Sequence, residues 1–305
     1  MAVTATSTLV GAGLATVAAA CFAVQYLGIR IGTDDGAVLD AVLVTLLCNV
    51  AITAPLVAVL YDGTLHELYT PTAVAAFAAA GIVGIWLARV CMFTGVENIG
   101  ASRTSPVVAS NALFATVFAY GFLGERVALA HLVGIVLVVG GVAILSWEAA
   151  AAGDDARSLR TAGADLGYPV AAAVLIGIEP VFITVGLAEG TPVLAGLAVM
   201  MLAGTVGFVG ARVASGTSLR IRPDDPALRW YLVAGVAATA GFVAYFLALE
   251  AASVVVVMPI LQTNTLLVIV LSALFLPARL ERVTWRLVGA ACVIVLGATI
   301  VSVAG

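Results

Sequence analysis

The fold is decided by a stretch that occurs twice, as ENIGASRTSPVVASN at residues 97–111 and as EAASVVVVMPILQTN at residues 250–264. A glutamate, a proline and an asparagine return at one lag of 153 residues: Glu97 and Glu250, Pro106 and Pro259, Asn111 and Asn264. Apolar matches arise easily by chance in a chain rich in Ala and Val, whereas these three residue types at preserved spacings do not. The chain is therefore interpreted as a tandem duplication.

The likeness extends outward from this stretch. After a short insertion, Glu125-Arg126-Val127 is answered by Glu281-Arg282-Val283, and Leu132-Val133-Gly134 by Leu287-Val288-Gly289. A polar connection lies at the middle of the chain and reads as a linker. We predict a first repeat over residues 1–147, a linker over 148–165 and a second repeat over 166–305.

Composition identifies the solvent of these repeats. Of the 305 residues, 63% are hydrophobic and only 10% are charged, and the mean hydropathy is +1.19. A soluble domain carries about 25% charged residues, so this chain cannot cover a water-exposed surface. A membrane span needs about 20 apolar residues, which leaves no length for a soluble domain. The sequence predicts a multi-pass α-helical membrane protein.

Ten apolar stretches predict the spans. They run over residues 8–30, 37–60, 72–95, 101–122, 127–147, 166–187, 190–213, 229–249, 253–276 and 283–303. Five spans in each repeat is an odd number, so the second repeat enters the membrane from the opposite side. We therefore expect ten transmembrane helices arranged as two inverted five-helix repeats, an architecture of secondary transporters.

The same residues carry a family resemblance. The run Leu123-Gly124-Glu125-Arg126, placed after Pro106 and before glycine-bearing spans, resembles the EamA-type half of the drug/metabolite transporter superfamily. The second copy departs from it, because Pro277-Ala278-Arg279-Leu280-Glu281 carries extra residues and no glycine. The resemblance implies export of small metabolites such as amino acids, without ATP and without a cofactor.

Other classes of protein lack their motifs in this sequence. No Walker loop, HExxH helix or Ser/His/Asp arrangement is present, so ATP-driven pumping and hydrolysis are not indicated, and no metal site is expected. A formal charge of −4 argues against nucleic acid as a partner. A secondary transporter explains duplication, inversion and a mid-span carboxylate, and a passive channel or facilitator explains only the last. An intramembrane enzyme would need acids or His clustered on a loop.

Glu179 is the deepest charged residue of the predicted spans. It lies about eight residues from the nearer span end, or roughly 12 Å at 1.5 Å per residue. Pro180 follows it and frees the carbonyl of Ile176. We expect Glu179 to bind substrate or a coupling ion, such as a proton. Arg89 is expected about six residues from its span end, either snorkelling to the interface or pairing with Glu179 or an anionic substrate.

Further polar and proline residues are candidates by their position within spans. The predicted binding residues beside Glu179 and Arg89 are Gln25, Tyr26, Asn111, Gln262 and Asn264. The predicted hinge or gating residues are Pro106, Pro180, Pro259, Glu97 and Glu250.

The expected surroundings are a lipid bilayer, that of the cell's plasma membrane, and a small-molecule substrate. One chain holds both repeats and is expected to suffice, while a homodimer stays open. The arginines outside the spans lie almost all on connections after odd-numbered spans, with only Arg126 on the other side. The positive-inside rule then places both termini outside the cell, whereas the resemblance implies termini in the cytoplasm.

Overall fold

The computed structural model describes residues 5–32, 38–61, 68–99, 107–108, 110–151, 166–216, 224–275 and 285–304, and every statement below concerns these residues. They form twelve α-helices and two π-helical segments: α1 Ala5–Gly32, α2 Val38–Leu60, α3 Pro71–Ala80, a π segment Gly81–Leu87, α4 Ala88–Ile99, α5 Asn111–Phe118, a π segment Ala119–Leu123, α6 Leu129–Ala151, α7 Gly167–Ala188, α8 Val193–Ala214, α9 Leu228–Ala251, α10 Val254–Leu261, α11 Asn264–Phe275 and α12 Trp285–Ala304.

Six helical stretches are long and apolar enough to cross a membrane: Ser7–Gly32, Leu39–Leu60, Pro71–Met92, Gly167–Ala188, Val193–Ala214 and Leu228–Ala251. Each agrees with a predicted apolar stretch to within a few residues. Four shorter apolar helices fall in the other predicted stretches: Asn111–Leu123, Leu129–Ile144, Val254–Val268 and Cys292–Val301. The all-helical membrane class is confirmed, while the number ten stays a prediction.

The predicted span 253–276 is broken, and the predicted spans 72–95 and 101–122 each contain a π-helical segment. The stretch 253–276 breaks between α10 and α11, at a turn formed by Gln262 and Thr263. Pro259 lies one turn earlier, and its missing N–H leaves the carbonyl of Val255 without a helical donor. The stretch 72–95 stays helical but includes the π segment Gly81–Leu87 and continues to Ile99.

Helices of the two halves alternate through the bundle. Helix α1 packs against α9 along its length, and the α3–α4 stretch packs against α7 in the equivalent way. Gly11 contacts Ala252, just beyond the end of α9, while Gly28 contacts Ala234 near its start. The two helices therefore run antiparallel, with the N-terminus of α1 beside the C-terminus of α9.

Helices α6 and α12, the last helix of each half, pack against each other. Gly134 packs against Gly297 and Val301, and Gly141 packs against Ile294. Rising numbers on α6 meet falling numbers on α12, so these corresponding helices run antiparallel. Because a side chain at Gly134 would overlap α12, small residues set this close approach.

These contacts place several chain positions at one end of the bundle, called here the termini end. The start of α1, the end of α12, the connection 124–128 and the α9–α10 turn all lie there. At the opposite end, the hydroxyl of Tyr231 donates to the carbonyl oxygen of Gly32 at 3.2 Å.

Candidate functional site

Glu179 occupies the middle of the bundle. It lies on α7, nine residues before the helix ends at Ala188, and the helix continues through Pro180. Only 7% of the residue is exposed, and its Oε1 has no hydrogen-bond partner within the described parts of the chain. A buried polar atom without a partner is destabilising by about 1–3 kcal/mol. This oxygen is therefore suited to accept from a donor that the chain does not supply.

The π segment between α3 and α4 forms the wall against which Glu179 packs. A Cβ built on Gly84 would overlap the carboxylate of Glu179, so only glycine leaves room for it. π-Helical turns inside α-helices occur frequently at functional sites. Here the turn brings a bare backbone against the one buried carboxylate on α7.

Arg89 and Tyr26 also lie near the carboxylate. Arg89, on α4, is half-buried, and its guanidinium interacts electrostatically with Glu179 and with Tyr26 of α1. The helix extends to Ile99, ten residues beyond Arg89. The helix continues beyond the polar residues at which the predicted apolar run stops, and the depth of Arg89 in the membrane stays a prediction.

Tyr245 completes the surroundings of Glu179 and was missed by sequence reasoning. It lies on α9, is 4% exposed, and interacts electrostatically with Glu179. Its hydroxyl donates to Sδ of Met258 on α10, with an O–S distance of 3.5 Å. A tyrosine between apolar neighbours gives no signal in the sequence, because only the packing of α9 against α7 and α10 brings it here.

A second polar cluster fastens three helices. Asn49 of α2 accepts from the hydroxyl of Thr239 on α9 at 2.7 Å, and its Nδ2 donates to Sδ of Met201 on α8 at 3.4 Å. All three residues are buried. Because the side-chain groups of Asn49 have partners, this cluster is suited to hold helices together rather than to bind a ligand.

The other predicted binding residues lie apart from one another. Gln25 is buried on α1, and Gln262 and Asn264 are half-buried at the break between α10 and α11. Asn111 is buried at the start of α5, where its Nδ2 donates to the carbonyl of Val108 at 2.7 Å and its Oδ1 has no partner in the described structure. The backbone of Asn111 contacts Gly177, two residues before Glu179.

The predicted hinge residues also lie in different environments. Pro180 and Pro259 are buried inside α7 and α10. Glu250 is exposed at the end of α9. Pro106 and the side chain of Glu97 lie outside the described residues. Within the described ranges, no group of three His, Cys, Asp or Glu side chains could hold a metal ion.

Comparison with known proteins gives a family and a fold. The family model of the EamA-like transporter family matches residues 9–147 and 166–303. No curated protein matches the sequence. A solved structure titled only "Crystal structure of protein" superposes with a TM-score of 0.77 over 98% of this chain and 97% of its own. Its sequence is 16% identical, so the likeness concerns the fold alone.

Proposed function

The chain belongs to the EamA-like transporter family, and from that membership we propose that it is a secondary transporter that exports amino acids or related small metabolites by alternating access. It is a multi-pass membrane protein of a transporter family. The substrate class, the direction and the coupling are the proposed part.

The observation that carries the proposal is the unpartnered Oε1 of Glu179, buried in the middle of the bundle. A carboxylate at this depth is strongly disfavoured unless it meets a cation, a donor or a proton. Positions of this kind mark substrate and ion pathways in membrane proteins. A passive pore would not need the carboxylate packed against Gly84, since a pore-lining group stays hydrated.

The arrangement suits a zwitterion. Glu179 offers an acceptor to an ammonium group, and Arg89 nearby offers donors to a carboxylate. Tyr26 is 48% exposed and adds a hydroxyl group beside Arg89. When the transporter returns without substrate, a proton on Glu179 would take the place of the ammonium group. Export would then be coupled to proton uptake.

The architecture that we propose around this site is ten spans in two inverted halves, with the site near their interface. The antiparallel pairing of α6 with α12, and the equivalent pairings of α1 with α9 and of α3–α4 with α7, support it. Both halves are supplied by one chain, so a monomer in the plasma-membrane bilayer is sufficient for transport. Rocking of one half against the other around the site gives access from each side in turn.

The test is substrate counterflow in proteoliposomes with a panel of radiolabelled amino acids. A carrier accumulates label against unlabelled internal substrate, whereas a channel lets it equilibrate. Glu179→Gln should abolish pH-driven flux and leave folding intact, because Gln keeps the volume and a donor–acceptor pair. Glu179→Asp should shift the pH dependence of transport.

Arg89→Gln gives a second reading of the same site. If the guanidinium orients the substrate carboxylate, this variant should weaken uptake of amino acids more than uptake of the corresponding amines. Wild-type flux in Glu179→Gln from mildly acidic to mildly alkaline pH would contradict the proposal. The site would then be sought at Gln25, Tyr26, Asn111 and Asn264.

A further inference from the structure

Helix α10 begins at the termini end and lies beside Tyr245, a neighbour of Glu179. All eight of its residues, Val254–Leu261, are buried, and those from Val254 to Val257 are at most 1% exposed. Met258 of this helix receives the hydrogen bond of Tyr245, which in turn lies beside Glu179. The Met258–Tyr245 contact thus joins α10 to the surroundings of Glu179.

The start of α10 is capped by a residue from the other half of the chain. Glu125 accepts the N–H of Val254 at its Oε1 (2.9 Å) and the N–H of Val255 at its Oε2 (3.0 Å). The local cap residue, Ser253, makes no side-chain bond of this kind. The N–H groups in the first turn of a helix lack partners within that helix, so the helix depends on Glu125 for these two bonds.

The turn before Glu125 holds its backbone in place. Gly124 adopts a left-handed conformation with φ of 66°, which a glycine adopts without strain. The backbone N–H of Glu125 then donates to the carbonyl of Ala119 at 3.2 Å, closing the π segment Ala119–Leu123. The carboxylate thus extends from a fixed turn towards a helix that lies 129 residues further along the chain.

Opposing contributions act on the carboxylate of Glu125. Two charge-assisted bonds and the positive end of the helix dipole favour the carboxylate. Burial in the 124–128 connection, outside the spans, raises the pKa of Glu125, and the two N–H bonds oppose that shift without cancelling it. Desolvation therefore disfavours the ionised carboxylate by more than these two bonds favour it.

We propose that Glu125 is the latch of the termini-side gate: its bonds to Val254 and Val255 hold α10 over the site, and they separate when the site opens at that end. This inference rests on the proposed alternating access. The latch works through its acceptor oxygens, and it links the Gly-Glu turn of the first half to the broken span of the second. Opening at the termini end then releases Met258 from Tyr245 beside Glu179.

The test is cysteine accessibility in nanodiscs, where both ends of the bundle are open to reagent. The four native cysteines, Cys21, Cys48, Cys91 and Cys292, are first replaced by serine or alanine. Two reporters then follow the labelling rate of a small charged maleimide. Val257→Cys, at a buried site on α10, reports the termini end, and Tyr26→Cys, at an exposed site on α1, reports the other approach.

Glu125→Ala should raise labelling at Val257→Cys by about tenfold, or about 1.4 kcal/mol in gate equilibrium, and should lower labelling at Tyr26→Cys. Glu125→Gln keeps an acceptor oxygen and should lie between wild type and Glu125→Ala. Arg126→Ala, at the exposed neighbour in the same turn, is the matched control and should leave both rates unchanged.

The outcomes separate the latch from the transport mechanism. An unchanged rate at Val257→Cys in Glu125→Ala overturns the latch. Faster labelling at both reporters also overturns it, because Glu125 would then support the fold as a whole. Faster labelling at Val257→Cys with no change at Tyr26→Cys supports the latch and contradicts alternating access. If Glu125→Ala is not recovered folded, Glu125→Asp, whose shorter side chain cannot reach both N–H groups, takes its place with the same outcomes.

Discussion

At the scale of single residues, the site depends on Gly84 having no side chain. Gly84 presents bare backbone to the carboxylate of Glu179, and a methyl group there would overlap it. The carboxylate cannot retreat freely, since Tyr245 lies beside it and α7 is packed on α3–α4. The exact placement of Glu179 is thus set as much by Gly84 as by α7 itself.

We predict that Gly84→Ala disables transport with the protein still folded. Overpacking of this kind costs about 1–3 kcal/mol, and if that strain falls on the bound state, substrate affinity drops about 5- to 150-fold. The measurement is substrate binding to purified protein, with size-exclusion chromatography to confirm folding. Gly13→Ala is the control, because a Cβ at Gly13 of α1 meets nothing within 4 Å. Equal affinity in the two variants would show that Glu179 has another position available.

At the scale of helices, buried polar contacts join helices of the two halves. Asn49, Thr239 and Met201 tie α2, α9 and α8 together. A hydrogen bond between spans in lipid contributes about 0.6 kcal/mol on average, and at most about 1.7. This contribution is small, but close glycine contacts also join α1 to α9.

We expect Thr239→Val to lower the free energy of unfolding by that amount. Thr16→Val is a close control, because Thr16 and Thr239 each donate to the carbonyl four residues earlier, at 2.9 Å in both cases. Thr239 differs in that its single hydroxyl hydrogen is shared between that carbonyl oxygen and Oδ1 of Asn49 on another helix. Thermal unfolding of both variants in one detergent measures the difference. If the two variants unfold at the same temperature, the contact to Asn49 adds nothing.

At the scale of the whole molecule, the described helices place both ends of the chain on the same side of the bundle. Arg30, Arg212 and Arg229 lie at the opposite end, near the junctions of α1, α8 and α9 with their connections. The positive-inside rule assigns the arginine-bearing end to the cytoplasm. The alternative, with termini in the cytoplasm, is what the family resemblance implies.

We predict that the termini end faces away from the cytoplasm. A C-terminal reporter that fluoresces only in the cytoplasm should stay dark, while a reporter that functions only outside should be active. Strong cytoplasmic fluorescence would reverse the assignment. The Glu125 latch would then close the cytoplasmic entrance of the exporter instead of its exit.

The membrane class, the duplication and the family resemblance could be predicted from the amino-acid sequence alone, and Glu179 could be singled out there as a candidate. Hydropathy is additive along a segment, so a run of about 20 apolar residues predicts a span without knowledge of its neighbours. A carboxylate or a proline inside such a run is visible for the same reason. The end of the helix after Arg89 could not be predicted in this way, because a helix can continue past its apolar run, as α4 does to Ile99.

The groups that surround Glu179 could be identified only from how the helices pack. Gly84, Tyr245 and Met258 reach the site from three different elements, and Glu125 meets Val254 across 129 residues of chain. Such contacts depend on which helix faces lie together, and in spans that are apolar all round, no periodic pattern in the sequence marks the inward face. Single residues of the site could therefore be predicted from the sequence, whereas their arrangement depends on helix packing.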